Sequence, residues 1–277
     1  MQEGYKNSDI EILVSTMNRS TLDFLISMFP FTHFSAFSIL VINQTTAEKL
    51  LESQYPSVRV INSFERGLSK SRNLALDNAK GDLCILTDDD VVFTPDFEDS
   101  VIKAFNREPS IALASFRVKT PDGKLFKKYP QTRKIKLNHL DLFNIISVEM
   151  VLNKKLVHAA GVRFNENFGI GAKFSMGEEA LFVNELYSKK LKIVMEPQVL
   201  VFHPKVSTTT KISIEEKYYI QGAVCTAIFK MGYFKWVVLK LLFDLKQKKI
   251  KLGQINRAIK SAIIGSKDLI KINENNS

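Results

Sequence analysis

Apolar residues fall in short blocks, separated by stretches with helical spacing, from residue 11 to residue 202. Glu11–Thr16 reads as a first strand, and Leu22–Phe29 carries an apolar helical face that stops before Pro30. Phe37–Asn43, rich in β-branched and aromatic residues, predicts a second strand. Thr46–Ser53 predicts a helix capped by Thr46, and Val58–Ile61 a third strand. Ser69–Lys80 predicts a helix that ends at Gly81, and Leu83–Thr87 a fourth strand apolar enough to be buried on both faces. Pro95–Asn106 predicts a helix with Thr94 as its cap, and Ile111–Phe116 a fifth strand. Beyond a basic, turn-rich stretch at Lys119–Lys136, Ile145–Leu152 reads as a strand. Phe164–Met176 reads as a loop, Ala180–Ser188 as a helix opened by Gly177-Glu178-Glu179, and Ile193–Met195 and Val199–Phe202 as two short strands.

Strands that alternate with helices at this spacing predict an α/β fold with a mostly parallel central sheet covered on both faces. Ligands of such sheets bind outside the carboxyl ends of the strands. The ends of strands one, two and four are polar: Thr16 to Arg19, Asn43-Gln44 and Asp88-Asp89-Asp90.

The 277 residues suffice for one large domain or two small ones, and 45% hydrophobic content excludes wholesale disorder. Two cysteines, Cys84 and Cys225, make neither a disulfide framework nor a cysteine-only zinc site. No uninterrupted apolar run reaches the ~18 residues expected of a transmembrane helix. The first residues lack the form of a signal peptide. The expectation is a cytoplasmic protein, peripheral on the inner face of the cytoplasmic membrane through its tail.

Charge sharpens that expectation. The net charge is +10, and residues 230–277 hold eleven basic residues against three acidic ones, so that segment carries +8 and the rest of the chain +2. Tyr233–Leu245 mixes Trp and Phe with lysines, which suits either an interfacial helix on an anionic membrane or a helix packed on the body of the protein. No nucleic-acid-reading motif accompanies the basic residues.

Three segments carry candidate chemistry. The Asp88-Asp89-Asp90 run is either a turn or an Asp-X-Asp site for Mg²⁺ or Mn²⁺, ions that favour oxygen ligands and can stabilise a departing diphosphate. Before it, Gly67 permits a tight turn, Ser69 suits a cap, and Arg66, Lys70 and Arg72 stand ready either to meet phosphates or to neutralise the acidic strand end. Glu178 and Glu179 at a helix start offer either a general base for an acceptor hydroxyl or simple complementarity with the helix dipole. A lone histidine such as His203 is more often structural than a ligand.

The ordered set Ile12–Arg19, Gly67–Leu76, Ala79–Asp82, Leu86–Asp90 and Gly177–Glu179 resembles the family 2 glycosyltransferases of bacterial polysaccharide type, which have the GT-A fold. The resemblance covers about residues 10–205. It implies a Rossmann-like GT-A catalytic domain at 1–210, with a nucleotide-sugar half at 1–118 and an acceptor half at 119–210, followed by a basic helical extension at 211–277. It implies a metal-dependent transfer of a sugar, hexosyl or N-acetylhexosaminyl, from a UDP-sugar or similar donor to a saccharide or lipid-linked acceptor, with inversion, in cell-surface polysaccharide or glycoconjugate synthesis. Thr16 and Arg19 would lie near base and ribose, Asn43 where the family often has a base-contacting Asp, and Arg72 near the nucleotide. Asp88 and Asp90 match the metal-binding Asp-X-Asp, Asp90 as the direct ligand and Asp89 toward ribose or sugar. Glu179 matches the base position, usually an Asp, and His203 falls where some GT-A enzymes place a late metal ligand. The competing readings are a catalytically silent membrane-associated nucleotide-sugar-binding protein and a nucleotidyltransferase. The second lacks its expected glycine-rich phosphate loop near the first strand.

Overall fold

The computed structural model describes residues 4–204 and 212–275. Its centre is an eight-stranded sheet. The elements run β1 (Ile10–Met17), α1 (Asp23–Met28), β2 (Ile39–Gln44), β3 (Val58–Ser63), α2 (Leu68–Asn78), β4 (Leu83–Asp88), β5 (Val92–Phe93), α3 (Phe97–Arg107) and β6 (Ile111–Lys119). They continue with α4 (His139–Phe143), β7 (Met150–Asn153), α5 (Lys154–Ala159), α6 (Glu178–Ser188), β8 (Lys192–Phe202), α7 (Ile214–Phe229), α8 (Tyr233–Lys246) and α9 (Ile255–Asn275).

The strand order is β3-β2-β1-β4-β7-β6-β8-β5. The first four are parallel, as their alternation with helices predicts. The short β7 then enters antiparallel between β4 and β6, and β5 closes the far edge antiparallel to β8. Successive residues of β4 point into different cores: Leu83 and Ile85 join one apolar cluster, and Cys84 and Leu86 the other. Burial on both faces explains why the strand reads as a continuous apolar run.

Four predicted elements come out differently. Thr46–Ser53 forms no helix, because the Asn62 side chain accepts from Leu51 N and donates to Leu51 O, holding that segment against the end of β3. Of Ile145–Leu152 only the last part is strand; Ser147–Glu149 is a single turn whose polar side chains are buried. The two strands at 193–202 are one, which absorbs Pro197 by a shift of register against β6. Thr94 does not cap α3; its hydroxyl donates to Val199 and Leu200 carbonyls and pins β8.

The C-terminal helices fold back on the body. The expected domain boundary at 210–211 lies outside the described residues. Gly222 of α7 and Gly265 of α9 allow backbone-to-backbone approach: a Cβ on Gly222 would stand 1.9 Å from Ala262 O, and one on Gly265 1.8 Å from Tyr219 O. By length and composition, 214–246 would suffice to cross a membrane once two charges are allowed in the window, which an uninterrupted-run criterion overlooks. The chain breaks within it, at Lys230 with φ +49°, and α7 packs against α8 and α9.

Candidate active site

The carboxyl ends of β1, β2 and β4 lie side by side, since Met17 pairs with Gln44 at the end of β2 and Ser15 with Asp88 at the end of β4. At that edge Asp89 accepts from Thr16 Oγ1 at 2.5 Å and from Arg19 Nε at 2.8 Å, with Arg19 Nη2 at 2.7 Å. Thr16, Arg19 and Asp89 are thus gathered as expected. Asn43 is not a free recognition group. Fully buried, its amide exchanges hydrogen bonds with the backbone of Arg19 (3.1 and 3.0 Å) and donates to Asn62 Oδ1 (3.0 Å). It clamps the turn that carries Arg19, and a buried amide with such partners gains nothing by leaving them.

The Gly67–Asn73 segment, whose cations are expected either to meet phosphates or to neutralise the acidic strand end, is bound up with the loop before α6. Gly67, at φ +131°, starts α2, and Ser69 provides no cap. Leu68 N donates to Ile170 O at 2.9 Å, so the helix start is covered by the loop before α6. Ser69 Oγ donates to Phe168 O at 2.6 Å. Asn73 exchanges two 2.9 Å hydrogen bonds with the backbone of Phe164. Lys70 stands outside, paired with Glu65 at 2.6 Å. The motif fastens the loop that delivers Glu178 and Glu179.

Arg72 is the hub. Only 3% exposed, it lies 3.0 Å from Glu178, 3.5 Å from Asp88 and 3.8 Å from Glu179, and donates to Ser147 Oγ at 2.7 Å. Its guanidinium also sits 5.5 Å from the centre of the Phe164 ring. As a buried cation in contact with three carboxylates, Arg72 takes the second of its two expected roles, neutralising the acidic strand end. Burial disfavours its charge, but Asp88, Glu179 and Glu178 outweigh this and hold it protonated.

The two glutamates divide accordingly. Glu178 is buried, and desolvation together with the Glu179 charge pushes its carboxyl up to about 7 against the pull of Arg72. Glu179 is more open, with 24% of its side chain exposed, and accepts from Ser147 N at 3.1 Å. Ser147 thus touches both Arg72 and Glu179. The only hint of it in the sequence is a serine and a glutamate inside an otherwise apolar run.

On the outer side, His203 Nε2 lies 3.3 Å from Asp90 Oδ1. Burial works against the imidazolium, but the Asp90 hydrogen bond and the charges of Asp90 and Asp88 raise His203 overall. The same hydrogen bond lowers Asp90, while burial raises Asp88 despite the nearby Arg72. Carboxylate oxygens and an imidazole nitrogen are ligand types that a divalent metal can accept. Among the described residues, no three His, Cys, Asp or Glu side chains are drawn together into a formed ion site.

The model of glycosyl transferase family 2 matches residues 41–175, which include Gly67, Arg72 and Asp88–Asp90 and stop short of Glu178. In structure the chain is similar to S. aureus TarS 1-349, at 15% identity and TM-score 0.60 over 93% of this chain and 80% of that one. The same protein in complex with UDP-GlcNAc gives 14% identity and TM-score 0.61 over 91% and 79%. Against the longer S. aureus TarS structure the identity is 17% and the TM-score 0.54, over 80% of this chain and 40% of that one. No curated protein matches the chain by sequence. The family 2 resemblance and the GT-A fold, a curled central sheet flanked by helices with C-terminal helices added, are borne out.

Proposed function

We propose that this chain is a nucleotide-sugar glycosyltransferase that moves a sugar from a UDP-sugar to an acceptor hydroxyl with inversion, Glu179 acting as general base. The observation that carries the reading is the shared cation. Arg72 joins Asp88, from the nucleotide-side strand end, to Glu178 and Glu179, from the start of α6, so a donor pole and a base pole stand within one ion network. The family match and the similarity to TarS, whose structures include complexes with UDP-GlcNAc and with UDP, support a UDP-linked donor of hexosyl or N-acetylhexosaminyl type.

On this reading the strand ends of β1 and β4 receive the donor, with Arg19 and Thr16 beside Asp89 on the nucleotide side. Asp90 and His203, with Asp88 beside them, would hold a divalent ion, which supplies electrostatic stabilisation to the departing diphosphate. Glu179 takes the proton of the attacking hydroxyl. Its carboxylate is oriented by Ser147 N, and Arg72 keeps Glu178 from competing for that position. The acceptor would be a saccharide or lipid-linked saccharide, and the product a cell-surface polysaccharide or glycoconjugate.

The test is a thermal-shift and turnover screen of nucleotide sugars with and without Mn²⁺. Stabilisation by a UDP-sugar and its hydrolysis or transfer, abolished by chelation, support the reading. Binding without turnover of any donor would instead indicate a silent sugar-nucleotide binder.

A further inference from the structure

Helix α8 has one face turned into the protein and one turned out, and the outward face is apolar. Val237 and Leu241 are buried against α7 and α9. Asp244, on the same side, accepts from Lys217 (2.7 Å), Tyr218 (3.1 Å) and Lys240. Trp236 is also turned in, stacked on Phe229 at 4.2 Å and beside His139 at 5.4 Å. The tryptophan that a sequence reading would send into a membrane is therefore a packing residue.

The outward face presents Phe234, Leu239, Leu242 and Phe243, with Met231 and Leu252 standing out at its two ends at 98% and 77% exposure. Lys235 and Lys246 share this exposed side, and Lys248, Lys249 and Lys251 follow directly. The only acid in the helix, Asp244, is buried and already paired with lysines, so no acid of α8 opposes an anionic surface. Exposed aromatic and aliphatic side chains ringed by lysines are the physical requirement for lying in the headgroup region of an anionic bilayer.

We infer that the exposed face of α8 and of the segment after it, from Phe234 to Leu252, is a docking surface for an anionic lipid bilayer, with the apolar side chains entering the interface and the flanking lysines meeting lipid phosphates. The surface is fixed to the body, because α7 joins α8 through Tyr218 and Cys225 and touches the start of α6 through Val224, whose Cγ2 leaves no room for a Cβ at Gly177. The chain therefore lies on the bilayer as one body. The inference does not depend on sugar transfer.

The experiment is co-sedimentation of the full chain with phosphatidylcholine vesicles and with equimolar phosphatidylcholine–phosphatidylglycerol vesicles, at low and high salt. The anionic vesicles should bind at least about tenfold more protein, with salt reducing the difference. The variant Leu242→Ser/Phe243→Ser should lose most of the bound fraction at either salt, and Lys246→Glu/Lys249→Glu should lose the preference for anionic lipid. Both variants replace exposed side chains, and unchanged circular dichroism and UDP-induced thermal shift would show that fold and donor site persist. Trp236 emission should stay where it is on binding. Equal sedimentation of wild type and the Leu242/Phe243 variant overturns the inference. So does a dimer, seen by light scattering, that the same variant disperses, since a second copy would then cover the face. Retention in membranes through an alkaline carbonate wash would mean that residues 214–246 span the bilayer, and overturns it as well.

Discussion

The Arg72 guanidinium and the Glu178 carboxylate meet at 3.0 Å in a setting where their side chains are 3% and 7% exposed. The charges come from residues 106 positions apart, so the pair locks the start of α2 to the start of α6. Removing Glu178 takes from a buried cation its nearest partner, and removing Arg72 leaves Asp88, Glu178 and Glu179 without the cation they share. Arg72→Met should lower unfolding stability by about 3–5 kcal/mol in urea denaturation. Arg72→Lys should recover part of the stability and little of the activity, because an ammonium cannot contact Ser147 and the carboxylates as a fork. A Met variant as stable as wild type would show that the network does not hold the site together.

The neighbouring glutamates should separate in their roles. Glu179→Gln is expected to cut transfer about 10²- to 10⁴-fold with an unchanged melting temperature. Glu178→Gln should act mainly on stability and on its pH dependence. With a folded value of about 7 against an ordinary 4.5, the native protein keeps a proton that the unfolded chain releases. Stability should therefore fall as pH rises from the ordinary carboxylate range toward 7 and level off above it, a slope the Gln variant lacks. Carboxyl NMR titration of the pair checks the assignment.

Asp244 should show the opposite sign. Burial opposes its charge, but Lys217 and Lys240 prevail and hold its carboxyl below the ordinary 3.8. Its contribution is fully present above that value and is lost as pH falls through the lower, folded one. Thermal melts of wild type and Asp244→Asn should thus differ at neutral pH and converge in acid.

The close approach of α7 to its neighbours should tolerate no added methyl. Gly222→Ala places a Cβ against the Ala262 carbonyl, which is backbone and cannot swing away, so a loss of about 1–3 kcal/mol or more is expected. Gly177→Ala combines φ +105° with a 2.4 Å approach to Val224 Cγ2. Adding Val224→Ala should relieve the contact and leave the backbone strain, so the double variant recovers only part of the loss in a chemical denaturation series.

Where local rules acted alone, the fold was legible. The parallel half of the sheet and helices α2, α3 and α6 follow from apolar blocks and helical spacing, because β1, β2 and β4 are buried on both faces. The Thr46–Ser53 helix failed where a distant Asn62 offered its side chain to the backbone, which no local pattern signals. Asp88–Asp90 and the Glu178-Glu179 pair were legible as carboxylate clusters. The occupation of Asn43 and Arg72 was not, since each is committed to partners contributed by other elements. Ser147 was hidden for the same reason: its value lies in standing between Arg72 and Glu179, a property of the folded molecule.

The fastening of the 164–171 loop across α2 bears on how the molecule comes together. Asn73 waits for Phe164, 91 residues later, and Arg72 for Glu178. Such long closures are slow relative to helix or hairpin formation. During synthesis the parallel strands β1 to β4 can be laid down while Arg72 has only Asp88, at the end of β4, and still lacks Glu178 and Glu179, so a chain stopped at that stage carries an under-compensated cation at its centre. The same contacts thus favour a chain that includes α6 over shorter fragments, and refolding experiments should find the Arg72–Glu178 junction among the last parts to gain protection from exchange.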